Sequence, residues 1–239
     1  MTVEIRRASP SFVTRERGRS TRHSFSFGDH YDPDNLRFGP IVCHDDHLLG
    51  SDQGFEDHPH SDLEIVTWVL TGALLHTHTD PASGGEVHEG RVGRGEVQVL
   101  GTGSGVVHAE RADPSAGPVR FVQVWLAGAE PAAVPSYDVA PVTLPDGELV
   151  PVASSREGAG AVRLATPGAT FSVARLPAGA TLLLPEQGLV HVYVARGALQ
   201  RSSLAEPLHE GDGYRITDRP GLVVTAAVPT ELLVWELEA

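Results

Sequence analysis

The fold is indicated most directly by the stretch Glu64-Ile-Val-Thr-Trp-Val-Leu-Thr-Gly-Ala-Leu74. It is rich in β-branched and aromatic residues and closes at a glycine, which is the pattern of a buried strand followed by a turn. A second stretch, Leu189-Val-His-Val-Tyr-Val-Ala-Arg-Gly-Ala-Leu199, ends on the same Gly-Ala-Leu. A glycine and an acidic residue follow each stretch, as Gly95-Glu96 and as Gly211-Asp212. The pair predicts an imperfect internal repeat, and hence two related β-domains in tandem.

The remainder of the chain has the same character. Short apolar runs alternate with clusters of Gly, Pro and Asp, and no long segment carries apolar residues at helical spacing. The 26 glycines and 18 prolines fit a turn-rich, all-β protein, either a sandwich or a barrel. The region 131–145 is rich in proline and alanine, so we expect a domain at 1–130, a linker at 131–145 and a second domain at 146–239.

Composition excludes several kinds of function. The net charge of −13 argues against direct binding to nucleic acid or to an anionic membrane, because both need positive charge. There is no lysine, which excludes Schiff-base chemistry. Cys43 is the single cysteine, which excludes an internal disulfide and a zinc cluster of thiolates.

The chain has no run of 18 apolar residues and no segment resembling a signal peptide at its start. We therefore expect a cytoplasmic protein with no membrane partner. We also expect a monomer, because two β-domains of one chain can pack against each other.

Two short motifs predict a metal site. Residues i and i+2 of a strand point to the same face, so His58-Pro-His60 directs two imidazoles toward one point. His108-Ala-Glu110 uses the same spacing for an imidazole and a carboxylate. Three histidines and one carboxylate would bind one divalent ion and leave positions open for a substrate. Ten of the twelve histidines lie at or before His108, so we expect the site in the first domain only.

Other residues offer weaker alternatives. His76-Thr-His78 repeats the two-histidine spacing and could add polarity near a barrel or face the metal or the substrate. Cys43 has His44 and His47 nearby as candidate bases, although we expect an unreactive thiol. The glycines at 101–105 lack the lysine of a phosphate loop, and Ser104 lacks the strand-to-helix turn of a serine nucleophile.

The sequence resembles the pirin family of two-domain cupins. The resemblance covers about residues 20–126 and rests on several motifs: His23-Ser-Phe-Ser-Phe27, Tyr31-Asp-Pro33, His58-Pro-His60, Glu64–Leu74 and Gly103-Ser-Gly-Val-Val-His-Ala-Glu110. It implies two tandem cupin barrels, with metal in the first and none in the second. In cupins generally, the glutamate at the position of Glu64 often binds the metal. Pirins take the carboxylate from the second motif instead, so we assign Glu110 and expect Glu64 to support a histidine.

The resemblance also implies a function. Pirin-like proteins are associated with quercetin 2,3-dioxygenase activity, in which a flavonol would bind the metal and react with dioxygen, with Glu110 as the catalytic base. We expect Fe(II), although the ligand set does not choose among Fe, Mn, Ni, Cu, Co and Zn. Pirins are also associated with metal-dependent binding of protein partners, so the alternative is a regulatory protein without turnover. A vestigial site is a third possibility, and the four filled ligand positions disfavour it.

Overall fold

The structure is a computed structural model, and it describes residues 2–9, 12–80, 84–127, 134–201, 206–217 and 222–238. Within these residues the regular structure consists of 22 β-strands. The predicted all-β class is therefore confirmed. Nowhere in the described ranges is there a helix long and apolar enough to cross a membrane.

The strands as far as the middle of the chain are β1 (Thr2–Arg6), β2 (Val13–Glu16), β3 (Arg19–His23), β4 (Ile41–Leu49), β5 (Gly54–His60), β6 (Glu64–Thr71), β7 (Ala73–Thr79), β8 (Val87–Gly93), β9 (Glu96–Gly101), β10 (Val106–Ala112), β11 (Val119–Leu126) and β12 (Ser136–Pro141). The remaining strands are β13 (Leu149–Ser154), β14 (Val162–Arg163), β15 (Thr170–Leu176), β16 (Thr181–Leu183), β17 (Leu189–Arg196), β18 (Ala198–Leu199), β19 (Leu208–His209), β20 (Gly213–Thr217), β21 (Val223–Thr225) and β22 (Thr230–Leu237).

The chain forms two compact units. The unit Ser11–Val142 contains a seven-stranded sheet in the order β12-β9-β6-β11-β4-β3-β2 and a four-stranded sheet in the order β5-β10-β7-β8. A core cluster joins the two sheets, with Val69 and Phe121 from the first and Leu74 and Val92 from the second. Burial of this apolar surface is the main force that holds the sheets together.

The other unit comprises Met1–Pro10 and Thr143–Ala239. Its main sheet has the order β1-β20-β17-β22-β15-β13-β14, and its core includes Val192, Tyr214 and Val234. Val3 and Ile5 of β1 pack against this core.

The unit boundaries differ from the sequence-based domains in two places. Strand β1 pairs along its length with β20, which puts the first residues of the chain in the unit that continues at 143. Strand β12 lies inside the predicted linker and pairs with β9 at the edge of its sheet, where Pro141 is tolerated because an edge strand has an unpaired side. Residues 131–133 of that linker lie outside the described residues.

The glycine shared by the two repeat stretches has a physical reason. Gly72 and Gly197 both have positive φ angles, of 71° and 81°. A Cβ atom on Gly72 would lie 2.4 Å from the carbonyl oxygen of Pro118, and one on Gly197 would lie 2.4 Å from that of Pro229. A side chain would therefore be strained and would clash at either turn.

Candidate metal centre

Three histidines converge between two paired strands. Strands β5 and β10 are antiparallel, and their register puts His58 directly opposite His108 and His60 opposite Val106. The ring centroids of His58 and His108 are 4.2 Å apart, and those of His60 and His108 are 5.0 Å apart. One ligand atom from each of the three histidines lies within 4.8 Å of the others, so together they could hold a metal ion.

The hydrogen bonding of these rings fits a metal. His60 Nε2 and both ring nitrogens of His108 are buried without a hydrogen-bond partner among the residues that the structure describes. Buried polar atoms normally have a partner, and a metal ion would supply one. His58 Nδ1 lies 2.7 Å from the carbonyl oxygen of Glu56, to which its N–H donates, so Nε2 is left as the ligand atom.

Two of these rings, those of His60 and His108, are neutral at physiological pH. Burial, followed by the charge of His58, lowers the pKa of His60 to about 4. Burial also lowers the pKa of His108 to about 3, although the charge of Glu110 opposes this shift. Neutral imidazole is the form that binds metals, so no proton has to leave before an ion enters.

Glu110 lies two residues after His108 on β10 and belongs to a second group of possible metal ligands. Its register partner on β7 is His76, and the ligand atoms of His76, His108 and Glu110 lie within 4.8 Å of one another. The four predicted residues therefore do not form a single group at that distance. The two groups share His108.

The carboxylate of Glu110 is buried and charged. Burial alone would raise its pKa, but His76, His108 and a hydrogen bond from Gln123 outweigh that effect and lower the pKa to about 2. Gln123 Nε2 donates to Glu110 Oε1 over 2.8 Å, and His76 Nδ1 lies 3.9 Å from the same oxygen. Such an oxygen suits a divalent ion.

Of the residues that the sequence offered as weaker alternatives, only His76 belongs to one of the two groups of possible metal ligands among the described residues. His76 is buried in the second group, and its Nε2 lies 3.1 Å from His78 Nδ1. Glu64 is buried but belongs to neither group of the described residues. It also lies on the face of β6 opposite to that of Thr67, which contacts Gln123. The Cys43 thiol is buried, and burial raises its pKa, so it stays protonated and unreactive.

A cavity of about 500 Å³ opens onto the site. His58, Glu110 and Gln123 line one part of it, and Phe27, Phe55 and Trp125 are among its aromatic walls. Ligand cavities commonly combine apolar walls with a few polar groups in this way.

Sequence reasoning missed Gln123 and Trp125. Trp125 Nε1 donates to Gln123 Oε1 over 2.9 Å, and the Trp125 ring lies 4.6 Å from that of His60. The available signal was the amide of Gln123 inside the apolar run Phe121–Leu126, since a polar residue in a buried strand needs a partner.

Comparison with known proteins identifies the family of the chain. The chain matches the Pirin family over residues 4–126. A Mycobacterium tuberculosis protein named "Putative quercetin 2,3-dioxygenase" is 40% identical over 241 aligned positions, covering 100% of this chain and 96% of the relative. A "Pirin-like protein" of Caulobacter vibrioides is 31% identical, covering 89% of this chain and 90% of its own.

Solved structures agree on the fold. The bacterial pirin YhhW from Escherichia coli, in complex with nickel(II), is similar with a TM-score of 0.85 at 23% identity, covering 99% of each chain. The arrangement of two all-β units is the bicupin fold that the sequence resemblance implied. The chain belongs to the pirin family.

Proposed function

We propose that this pirin is a metal-dependent dioxygenase that cleaves a flavonol or a related enediol-type molecule with dioxygen. The observation that carries the proposal is a set of three converging histidines beside a cavity of about 500 Å³ with aromatic walls. The name of the mycobacterial relative supports the same activity.

The residues of the chain have separate tasks in this proposal. His58, His60 and His108 hold a divalent ion, with Glu110 as the fourth ligand. We take Fe(II) as the resident metal; the complex of YhhW with nickel(II) makes nickel a second choice. When bound, the ion supplies a Lewis acid for an adjacent hydroxyl and carbonyl pair and a path for electrons between substrate and dioxygen.

Glu110 also accepts the proton of the substrate hydroxyl. Its pKa of about 2 makes it a weak base, so this transfer requires a hydroxyl whose own pKa a cation has lowered. Gln123 holds one carboxylate oxygen by its 2.8 Å hydrogen bond. Phe27, Phe55 and Trp125 hold a flat aromatic substrate and exclude water.

The test is aerobic turnover of quercetin by the Fe(II)-loaded protein. Loss of flavonol absorbance, uptake of dioxygen and release of carbon monoxide are followed together, since both atoms of dioxygen enter the organic product. We expect turnover by the wild type and by His88→Ala, an exposed histidine outside both metal groups, and none by His58→Ala.

If the wild type is fully occupied by metal and still consumes quercetin no faster than His58→Ala does, dioxygenase activity on this substrate is contradicted. The alternative, a metal-binding regulator that acts through a protein partner, would then be favoured. Cytoplasmic location and a monomeric state stay predictions, and size-exclusion chromatography tests the second.

A further inference from the structure

A row of buried polar side chains crosses the seven-stranded sheet beside the metal groups. His23 of β3 lies opposite Asp45 of β4, Asp45 lies opposite Gln123 of β11, and Gln123 lies opposite Thr67 of β6. All four side chains are buried, with at most 7% of any residue exposed. Residues directly opposite each other share one face of a sheet, with Cβ atoms about 5 Å apart. Gln123 holds Glu110, so the row connects the metal groups to Asp45.

Asp45 is held in place by one of its two oxygens. His23 Nδ1 lies 3.0 Å from Asp45 Oδ2, and His23 Nε2 lies 2.9 Å from the hydroxyl of Thr14. The same hydroxyl lies 3.0 Å from His30 Nε2. A hydroxyl has one proton to donate, so Thr14 donates to at most one of these rings, and at least one ring donates to Thr14. Either direction uses only Oδ2 of Asp45.

The second oxygen, Asp45 Oδ1, is buried and has no hydrogen-bond partner among the described residues. Asp45 lines the same cavity as His58 and Glu110. Leaving a buried carboxylate oxygen without a donor is costly, which indicates that a bound molecule supplies one. The Cys43 thiol lies on the same face of β4 and hydrogen-bonds the Asp45 side chain, but a thiol is only a weak donor and leaves room for a stronger one.

Cations of the cavity wall do not fill this role. Arg19 also lines the cavity, but its guanidinium is engaged by Glu16, by the carbonyl oxygen of Gly54 at 2.8 Å and by the ring of Phe55 at 4.7 Å. The oxygen of Asp45 is therefore available to a donor of the ligand.

We propose that Asp45, oriented by His23, is a second recognition point of the cavity and binds a hydroxyl group of a ligand whose other end reaches the metal. The proposal rests on the proposed function, because it takes the metal-binding end of the ligand from there. It narrows the substrate class to molecules that carry a metal-chelating hydroxyl and carbonyl pair at one end and a phenolic or alcoholic hydroxyl at the other. A carboxylate or phosphate at that end is rejected by the charge of Asp45.

The test measures binding in the absence of dioxygen. Fe(II)-loaded protein is titrated calorimetrically with 3-hydroxyflavone, which has the chelating pair alone, and with its 4′-hydroxy and 7-hydroxy derivatives. A hydrogen bond to a charged group predicts that at least one derivative binds the wild type about tenfold more tightly than 3-hydroxyflavone. In Asp45→Asn the preference falls below about threefold, and circular dichroism shows that the variant is folded.

Asp29→Asn is the matched control, because Asp29 lines the cavity but is exposed and lies outside the polar row. It keeps the wild-type preference. Equal affinities for all three ligands in the wild type, absence of binding by any of them, or a preference that survives in Asp45→Asn would each overturn the proposal.

Aerobic turnover separates this proposal from the proposed function. If tighter binding of a hydroxylated derivative depends on Asp45 but quercetin is not turned over, the recognition point is supported and the dioxygenase activity is contradicted. If quercetin is turned over but Asp45→Asn does not change the binding preference, the recognition point is contradicted and the dioxygenase activity is supported.

Discussion

Gln123 Nε2 donates a hydrogen bond to Glu110 Oε1 over 2.8 Å, and the two residues are only 4% and 2% exposed. The Gln123 amide is itself fixed, because its Oε1 accepts a hydrogen bond from Trp125 Nε1. The carboxylate of the candidate site is therefore oriented by a strand of the other sheet and not by its own strand alone.

Replacement of this amide tests its role. We expect Gln123→Met to lower the affinity for a divalent metal by about 10- to 100-fold, because the carboxylate loses the partner that orients it. The free energy of unfolding should fall by about 1–3 kcal/mol, because a buried carboxylate oxygen loses a donor. Metal titration against a competing chelator and urea unfolding measure the two effects.

Gln53→Met is the control for this substitution. Gln53 is exposed, so both quantities should stay within error of the wild type. Unchanged metal affinity in Gln123→Met would show that Gln123 does not support the metal site.

Asp113 gives a pH dependence that is separate from the metal. Hydrogen bonds from Ser115 and Arg91 lower the pKa of Asp113 from 3.8 to about 2. The folded pKa is below the unfolded one, so its stabilising effect is present above about pH 4 and is lost as the pH falls toward 2. Asp113→Asn should therefore unfold more easily than the wild type at pH 7, and the difference should shrink at pH 3.

Urea unfolding of both proteins at pH 7, 4 and 3 measures this difference. Asp29→Asn, which removes an exposed carboxylate, should show no such trend. A difference between Asp113→Asn and wild type that is constant across this range would contradict the assignment.

The repeat glycine can be tested against a matched turn. Gly72→Ala puts a Cβ atom 2.4 Å from the carbonyl oxygen of Pro118 at a φ of +71°, so we expect a loss of more than about 1–3 kcal/mol of unfolding free energy. Gly84→Ala shares the positive φ, at +94°, but its Cβ meets no atom within 4 Å. Chemical denaturation should show the larger loss for Gly72→Ala, and equal losses would show that the close approach has no energetic effect.

Much of the site followed from local sequence. The spacing of His58 and His60, and of His108 and Glu110, predicted two same-face pairs, and the structure has both pairs on strands β5 and β10. The sequence did not predict that Glu110 and His76 would be register partners, because pairing between β7 and β10 depends on residues 34 positions apart.

The domain limits also combine features that local sequence predicts with features that depend on pairing between distant strands. The β-character of the repeat stretches is local, because Val, Ile and aromatic residues favour strands wherever they occur. The membership of β1 in the unit that continues at 143 depends on pairing of Thr2–Arg6 with a strand more than 200 residues later. Likewise, no sequence motif links Asp45 with His23, and only the register of β3 and β4 places them together in the cavity wall.

We propose above all that His58, His60 and His108 hold one divalent metal ion. The most direct measurement is the metal content of purified protein after loading with Fe(II) without dioxygen and removal of unbound metal, for wild type, His108→Ala and the control His88→Ala. We predict one ion per chain in the wild type and in His88→Ala, and a loss of most of the metal in His108→Ala. One ion per chain in a folded His108→Ala protein would contradict the account.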